Sequence, residues 1–530
     1  MFQSLSPSTN RPGKRRVVRF VMRACFLMTC IFLSLSFAVL ARAEGASGSG
    51  EQKLEKEIIS FYLVGTQPGG MPEVIAAINE ACKDTLNIEL QVTFAGWDNY
   101  GNKLSMELAA GQSYSFVYDA AWCSLNSNLP AGYYMPLDDL IYEHAPNLVA
   151  AKTESVLTSN MYKGPDGEYR IYGIPNGNFL GEAPQFWVRG DLREAMGIEP
   201  IKSMEDLVKY AYALKENYPD MTPMTPGKLT DSYAGTASRF LKQELSGYMN
   251  NTDLGNAGIL FYKDNDGKVY NIFDDMPTQI WDAILMARQL YLDGIIDPDF
   301  LTVPDWQAKF VEGKTGIIVK ADIGVNGDVE DQLRLSVPDG KIEAVCLYDF
   351  SKDGLYTTNF KAWDFIFMPV NCPNPERSLQ FLNWVNENQT NYDLCAMGIA
   401  GYTYEPIGEK QYTAYSDKWE WMTWRWIRTA AYERYDANYT EDDLSKIARF
   451  QDPSFFAKSV VSGFTFDSAP VRNDISIYNV VLDKYWPLIV NGAIDPEEGM
   501  SKFREEVYPY VKKIQDEMQE QIDEFLEKGR

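Results

Sequence analysis

The sequence predicts an α/β fold divided into at least two lobes. Strand-like and helix-like segments alternate from about residue 57 to residue 395, and this order predicts parallel strands joined by helical crossovers. The chain has 530 residues, more than one hydrophobic core usually supports. Its last part carries apolar residues at helical spacing, which predicts additional C-terminal helices. The composition, 45% hydrophobic and 23% charged, is typical of a folded globular protein.

Residues 1–43 have the pattern of a secretory signal peptide. Basic residues precede an apolar run at residues 24–40, and the small-residue signal 41–43 follows it. We expect cleavage after Ala43 and a secreted, extracytoplasmic mature chain. The alternative is that the apolar run is retained as a membrane anchor. Because Cys30 lies in the middle of this run, attachment of a lipid at its end is not expected.

The first folded elements are predicted to form a β-α-β-α-β unit. Residues 44–56 are small and polar and predict a flexible leader. The apolar run at 58–64 predicts a strand, and Pro72 then begins a helix because proline suits the first helical turn. Residues 88–94 and 116–118 predict the next two strands. The carboxyl ends of three parallel strands would therefore meet at one edge of a sheet.

Similar patterns continue along the rest of the chain. They predict strands at residues 169–174 and 185–188 and helices at residues 204–217, 280–293, 375–385 and from 496 to the end. Beyond residue 398 the alternation fades and tryptophan becomes frequent.

Charge and cysteine content exclude several classes of partner and site. The net charge of −25 repels phosphate backbones and anionic lipid surfaces, so nucleic acid is not an expected partner. The cysteines after residue 43 are odd in number, widely spaced and without a C-x-x-C pair. Neither a zinc site nor a disulfide framework is predicted from them.

The sequence shows no recognisable catalytic equipment. His144 is the only histidine, and the phosphate-loop, dinucleotide and hydrolase-elbow motifs are missing. Residues 264–268 resemble the start of a calcium loop, but the twelfth position holds Asp275 instead of glutamate, so a hairpin turn is the better explanation. We predict no metal and no cofactor. Paired carboxylates for glycoside cleavage stay open, since the chain has 74 acidic residues.

Aromatic residues indicate a site for carbohydrate. They make up 13% of the chain, with 12 Trp and 32 Tyr. Sugars present flat apolar faces and a rim of hydroxyls, so a sugar site needs aromatic planes beside a few polar groups. Trp97, Asp119 with Trp122, and Trp363 combine rings and polar partners near predicted strand ends. The alternative, that each tryptophan belongs to the core, stays open for each of them.

Several segments are similar in order and spacing to those of a known family: residues 132–140, 172–176, 187–192, 201–207 and 310–314. They resemble the family 1 extracellular solute-binding proteins of carbohydrate ABC importers. The part from residue 398 onward, including residues 463–471, is similar to the extended C-terminal region of the large oligosaccharide-binding lipoproteins. The resemblance covers nearly the whole mature chain.

This resemblance implies a two-lobed periplasmic-binding-protein-like fold of type II, with a central cleft, hinge closure and extra C-terminal helices. Lobe one would contain residues 57–168 and 341–395. Lobe two would contain residues 169–340 and then 396–530, which include the C-terminal extension.

The resemblance also implies a function and a set of ligand contacts. The chain would be the substrate-binding component of an ABC importer, a monomer that captures a sugar or oligosaccharide and meets the membrane only through permease subunits or an uncleaved signal. It would not be an enzyme; the alternatives are a secreted glycoside hydrolase or lyase, or a sugar-sensing subunit without transport. Together with Trp97, the implied contacts are Thr66, Gln67, Asp119, Trp122, Asn176, Asp322 and Trp363, with Trp424 and Trp426 closing the site from lobe two.

Overall fold

The computed structural model describes most of the chain after the predicted signal peptide. The described residues are 54–176, 185–226, 249–250, 254, 258–303, 305–320, 324–347, 354, 356–415, 417–420 and 422–528. The predicted signal peptide, most of the predicted leader and the candidate Asp322 lie outside them. No helix in these ranges combines the length and the apolar character of a membrane span.

The strands form two larger sheets and several short ribbons. In chain order they are β1 (Glu57–Val64), β2 (Ile88–Ala95), β3 (Phe116–Asp119), β4 (Tyr162–Lys163), β5 (Tyr169–Arg170), β6 (Gly173–Pro175), β7 (Gln185–Arg189), β8 (Thr222–Met224), β9 (Met249–Asn250), β10 (Leu260–Tyr262), β11 (Tyr270–Asn271), β12 (Thr315–Lys320), β13 (Ile342–Val345), β14 (Tyr356–Thr358), β15 (Phe365–Phe367), β16 (Tyr404–Ile407), β17 (Gln411–Ala414), β18 (Tyr435–Asp436) and β19 (Phe456–Lys458). The first sheet has the order β2-β1-β3-β15-β6, and the second has the order β13-β7-β12-β8.

Helices cover the faces of both sheets. In chain order they are α1 (Met71–Cys82), α2 (Tyr100–Ala109), α3 (Leu125–Asn128), α4 (Asp138–His144), α5 (Pro146–Lys152), α6 (Glu154–Ser159), α7 (Gly190–Ala195), α8 (Met204–Asn217), α9 (Thr278–Leu292), α10 (Trp306–Val311), α11 (Gly327–Ser336), α12 (Pro375–Val385), α13 (Gln389–Ala396), α14 (Thr423–Trp426), α15 (Glu441–Phe450), α16 (Arg472–Val490) and α17 (Pro496–Lys528). The long helices predicted from apolar spacing are therefore present.

The first sheet brings five chain ends to one edge. Strand β1 pairs in parallel with β2 and with β3, which confirms the predicted parallel crossovers. Strand β15 pairs antiparallel with β3 and with β6. Antiparallel pairing reverses the chain direction, so the amino end of β15 lies beside the carboxyl ends of β1, β2, β3 and β6. Residues far apart in the sequence therefore meet there.

Local sequence explains most of these elements. Pro72 lies in the first turn of α1, and the helix buries Met71, Val74 and Ile78 in the first hydrophobic core. The single strand predicted at residues 169–174 is instead divided into β5 and β6. Between them the carbonyl of Ile171 accepts a hydrogen bond from the Leu137 amide at 2.7 Å, so this part of the chain pairs with a loop.

The second sheet has its own hydrophobic core, which confirms a fold of two lobes. In this sheet β7 pairs antiparallel with β12 and β13, whereas β8 pairs in parallel with β12. The C-terminal helices α16 and α17 bury apolar side chains in this second core, among them Trp486, Val507 and Ile514. The predicted additional helices therefore complete the second lobe.

The tryptophan-rich segment packs with the first lobe. Met397, Tyr412, Trp419 and Trp426 are all buried in the first core. This packing differs from the assignment of residues 396–530 as a whole to lobe two. The difference arises because burial against the first sheet decides the position of this segment, and its sequence has no periodic pattern that indicates such burial. The other lobe boundaries stay predictions.

Candidate functional site

Three indole rings and one phenol ring lie at the edge where the strands of the first sheet end. Trp97 is 54% exposed in the short turn after β2, and Trp122 is 43% exposed after β3. Trp424 belongs to α14, which contacts β1 and β15. Tyr118 lies in β3 itself and is fully buried, so it supports the other rings and presents no surface to a ligand. We call these four residues the aromatic platform.

The Trp97 indole ring lies nearly parallel to each of the other two indole rings of the platform. The Trp97 ring centroid is 6.4 Å from that of Trp122, with 19° between the planes, and 5.7 Å from that of Trp424, with 25° between the planes. The Tyr118 ring meets Trp424 at 86°, edge to face. At these distances the rings are stacked with an offset, so they overlap in part and do not form one continuous plane. The exposed parts of the Trp97 and Trp122 rings offer aromatic surface on which the apolar face of a sugar ring can stack.

Asp364 supplies a carboxylate beside the platform. It directly precedes β15, and its Oδ1 accepts hydrogen bonds from the Tyr118 hydroxyl at 2.5 Å and from Trp122 Nε1 at 3.3 Å. Burial, together with the charge of Asp364, raises the pKa of Tyr118 well above its usual value. The phenol therefore stays protonated and donates a hydrogen bond to the carboxylate. The carboxylate therefore holds the orientation of Trp122.

Arg425 lies behind the platform. Its side chain is 4% exposed, it forms an ion pair with Glu420, and its guanidinium is 5.7 Å from the Phe94 ring and 5.8 Å from the Trp424 ring. Gly65 has φ of +107°, and a Cβ added there would lie 2.4 Å from Arg425 Nη1. The turn after β1 therefore favours glycine for its backbone conformation, and a larger residue there would also displace the Arg425 guanidinium.

Three predicted contacts are at this edge and stay predictions. Thr66 and Gln67 are exposed immediately after Gly65. Trp363 is half-buried and directly precedes Asp364 at the amino end of β15. All three are at the edge that carries the platform, because the strands that flank them end there.

Asp119 is a correction to the predicted set. It is fully buried, and its carboxylate accepts hydrogen bonds from the Ala120 amide at 2.8 Å, the Ser124 amide at 3.0 Å and Asn128 Nδ2 at 3.0 Å. Burial raises the pKa of this carboxyl group, against the lowering effect of the hydrogen bonds. Asp119 therefore organises the turn that presents Trp122 and has no surface for a ligand.

The predicted roles of Trp424 and Trp426 are also corrected. Trp426 is fully buried, and its ring packs against Phe61 of β1 with centroids 5.9 Å apart, so it is a core residue of the first lobe. Trp424 is half-buried and belongs to the platform. Both residues belong to α14 on the first lobe, so neither one closes the site from lobe two.

Asn176 is also buried rather than exposed to a ligand. It is 2% exposed; its amide donates to the Asp364 carbonyl at 2.8 Å, and its side-chain oxygen accepts from the Arg428 amide at 3.4 Å. Nearby, the buried Lys152 ammonium donates to the carbonyls of Pro175 and Arg428. Burial lowers the pKa of Lys152 to about 7. This network supports the chain where it leaves the first sheet.

The loop that resembles a calcium site is a hairpin turn in the structure. Asp264 and Asn265 have positive φ angles between the antiparallel strands β10 and β11. Asp275, at the twelfth position, forms an ion pair with Lys263. In the described ranges, no three or more His, Cys, Asp or Glu side chains are grouped so that they could hold a metal ion.

Asp364 and Arg425 are absent from the predicted contact set. In the sequence, Asp364 is the last residue of the segment 359–364, which combines aromatic rings with polar residues, and nothing local distinguishes it from the other polar residues there. Its position follows from the antiparallel entry of β15, which no local pattern shows. For Arg425 the sequence offers no signal, because the place of α14 depends on packing.

Two family models match the chain. Residues 73–419 match the model described as bacterial extracellular solute-binding protein. Residues 460–527 match a model described only as a domain of unknown function. The first match covers more than half of the chain and agrees with the resemblance inferred from the sequence.

Individual proteins are similar over nearly the whole chain. A carbohydrate ABC transporter substrate-binding protein of Streptococcus pneumoniae is 23% identical, covering 94% of this chain and 96% of the relative. The crystal structure of the N-glycan transport solute-binding protein of the same organism superposes with a TM-score of 0.70 at 19% identity, covering 89% of this chain and 99% of that one. The S. pneumoniae protein FusA in complex with kestose gives a TM-score of 0.57 at 14% identity, covering 89% and 100%. These similarities confirm the two-lobed fold.

Proposed function

We propose, because the chain belongs to the family of bacterial extracellular solute-binding proteins, that it captures a sugar or oligosaccharide and delivers it to an ABC importer. The observation that supports this proposal most directly is the aromatic platform. Its exposed Trp97 and Trp122 rings, with the Asp364 carboxylate beside them, match the apolar faces and hydroxyl rim of a saccharide. Similar proteins, one named for carbohydrate, one named for N-glycan transport and one in complex with kestose, support the same ligand class.

The ligand would be held between the lobes by hinge closure. In this proposal the platform forms the lobe-one side of the site, with Thr66, Gln67 and Trp363 as further contacts. Closure requires that the sugar bind the closed arrangement more tightly than the open one. The protein would act outside the cytoplasm as a monomer and present the loaded form to permease subunits. Capture of this kind needs no general acid, general base or metal ion.

A thermal-shift titration tests the proposal. Neutral oligosaccharides such as kestose, maltotetraose and a mannose-rich N-glycan are added to the protein, and a ligand that binds the native state raises the melting temperature by mass action. Trp122→Ala is expected to abolish the shift while leaving the melting temperature of the free protein nearly unchanged, because Trp122 is 43% exposed. Tyr142→Ala removes an equally exposed ring from α4 and is the matched control.

Two results would contradict this function. A wild-type protein whose melting temperature responds to none of these saccharides would argue against a sugar as the ligand. A release of shorter sugars during the titration would favour the glycoside hydrolase or lyase that the sequence left open. If Trp122→Ala kept the full shift and Tyr142→Ala lost it, the site would lie elsewhere.

A further inference from the structure

The segment of residues 359–364, which joins β14 to β15, contacts both the aromatic platform and the C-terminal region of residues 460–527. We call residues 359–364 the crossing segment. We propose that the C-terminal region, through Lys361, holds the crossing segment and thereby positions Asp364 for sugar binding. This inference rests on the proposed function of the platform. The region that matches the model of unknown function, residues 460–527, would then contact both lobes and restrain the crossing segment. We call this arrangement the brace.

The C-terminal region holds the crossing segment by polar contacts. The Lys361 ammonium donates to the Phe464 carbonyl and, at 3.2 Å, to the Thr465 hydroxyl. The Ser462 hydroxyl donates to the Asn359 carbonyl at 2.6 Å. Hydrogen bonds from a charged donor are stronger than those between neutral groups. Lys361 is therefore the main polar connection between the two segments among the contacts described.

The first lobe holds the same segment from the other side. The Lys361 ammonium lies 4.9 Å from the centroid of the Tyr162 ring, which is buried in the first core. Asn160, fully buried, accepts a hydrogen bond from the Ala362 amide at 2.6 Å and donates to the Phe360 carbonyl at 3.2 Å. Phe360 has φ of +58°, a conformation that a bulky residue keeps only when its neighbours hold it.

The crossing segment ends at the platform. Asp364, three residues after Lys361, orients Trp122 through its carboxylate and accepts the Asn176 amide at 2.8 Å through its carbonyl. A shift of the crossing segment would therefore move the carboxylate away from Tyr118 and Trp122. Lys361 is in this sense a positioning residue, because it acts on the site through Asp364.

The C-terminal region itself is seated on the second lobe. Phe464 is buried in the second core, and its ring lies 5.8 Å from that of Phe525 in α17. The Phe525 ring also lies 5.9 Å from Tyr169 of β5, which directly precedes the first-lobe strand β6. Strand β19, which leads into this region, pairs in parallel with β14. The region therefore contacts both lobes where the chain passes between them.

Amide hydrogen exchange on the free protein tests the brace. Lys361→Met removes the ammonium and keeps most of the apolar stem. We expect the Ala362 and Asn176 amides to exchange about tenfold faster in this variant, since the charged hydrogen bonds that resist local opening are lost. Lys513→Met is the matched control, because it removes an ammonium from an ion pair with Asp474 on the exposed side of the same region. It should leave both amides unchanged.

A second arm measures sugar binding by calorimetric titration with kestose and with a mannose-rich N-glycan. Lys361→Met is expected to bind about tenfold more weakly than wild type, and Lys513→Met is expected to bind as wild type does. Ser462→Ala, which loses one neutral hydrogen bond, should give a smaller change in the same direction in both measurements. It also keeps the inference testable if Lys361→Met fails to fold.

The outcomes separate this inference from the proposed function. Unchanged exchange at Ala362 and Asn176 in the Lys361 and Ser462 variants overturns the brace, whatever the wild type binds. Faster exchange with unchanged affinity overturns the positioning of Asp364. A wild type that binds no saccharide contradicts the proposed function, whereas the exchange experiment still decides whether the C-terminal region holds the crossing segment.

Discussion

The two sheets use the side chains near their strand ends in different ways. After β2 and β3 in the first sheet, Trp97 and Trp122 remain 54% and 43% exposed. After β8 in the second sheet, Thr225 is buried, and its hydroxyl donates to the buried Asp297 carboxylate at 2.9 Å. The first sheet leaves aromatic rings exposed near its strand ends. In the second sheet the polar group after β8 forms a hydrogen bond within the protein. Among the described residues, the first lobe is therefore the better candidate for the main sugar-stacking surface.

The polar network of the second lobe is closed on itself. Asp297 is 2% exposed and forms an ion pair with Lys309, whose ammonium also donates to the Thr222 hydroxyl at 3.2 Å. The Thr225 hydroxyl lies 3.0 Å from that of Thr315 at the start of β12. Buried charges are stable only when they are paired and hydrogen-bonded in this way. This network therefore stabilises the lobe.

In the first lobe, the turn after β3 contains both a buried polar residue and an exposed aromatic residue. Asp119, the last residue of β3, is fully buried and bonded within the protein, whereas Trp122, three residues later, is exposed. Position near a strand end therefore does not by itself make a residue a ligand contact. The side chain must also be left without complete burial.

The largest expected effect concerns the second lobe. Asp297→Ala should lower the free energy of unfolding by about 3 kcal/mol, because it leaves the mostly buried Lys309 ammonium without its partner. Urea denaturation measures this change, and Asp299→Ala, at an exposed position, is the control. Sugar affinity should not change in either variant. If Asp297→Ala kept the full free energy of unfolding and lost sugar binding, the result would indicate that the sugar site lies in the second lobe.

The next effect concerns the buried charge beneath the edge of the first sheet. Burial lowers the pKa of Lys152 from 10.5 to about 7, so between these values the unfolded chain binds more protons than the folded one. The free energy of unfolding should therefore rise with pH, by up to about 1.4 kcal/mol per pH unit. Relative to Lys152→Met, wild type should gain about 2 kcal/mol between pH 7.5 and pH 9.5.

Urea denaturation at several pH values checks this expectation. Lys83→Met, at an exposed position on the first lobe, is the control and should follow wild type across the range. If the difference in free energy of unfolding between wild type and Lys152→Met stays constant across this pH range, the pKa of Lys152 is not lowered in the folded protein. The first lobe would then lack a buried charge of the kind that Asp297 and Lys309 provide in the second lobe.

The smallest effect concerns the platform alone. Trp97→Ala should weaken binding of a saccharide by about 1 kcal/mol, roughly fivefold, because one stacking surface is lost. The free energy of unfolding should change little, since the ring is 54% exposed. Calorimetric titration measures the affinity, with Tyr142→Ala as the control. A loss of stability equal to the loss of affinity would mean that the ring supports the fold instead of the ligand.

Local patterns determined much of this protein. The strand that became β1 and helix α1 were predictable because apolar periodicity and a proline at the first helical turn act over neighbouring residues. Trp97 and Trp122 were predictable as candidates because they follow predicted strands. The family was also recognisable from segments spread along the chain. Each of these inferences depends on residues that are close in sequence.

Only the tertiary structure decided which of these side chains form the platform. Tyr118 and Asp364 are 246 positions apart, and they meet because β15 enters the first sheet antiparallel to β3. Trp424 and Trp426 are of the same type and two residues apart, but only Trp424 belongs to the platform. Residues two apart on a helical turn point in different directions, so packing against β1 and β15 leaves Trp424 half-buried and buries Trp426 completely. The local sequence around Trp424 does not indicate that α14 packs against β1 and β15.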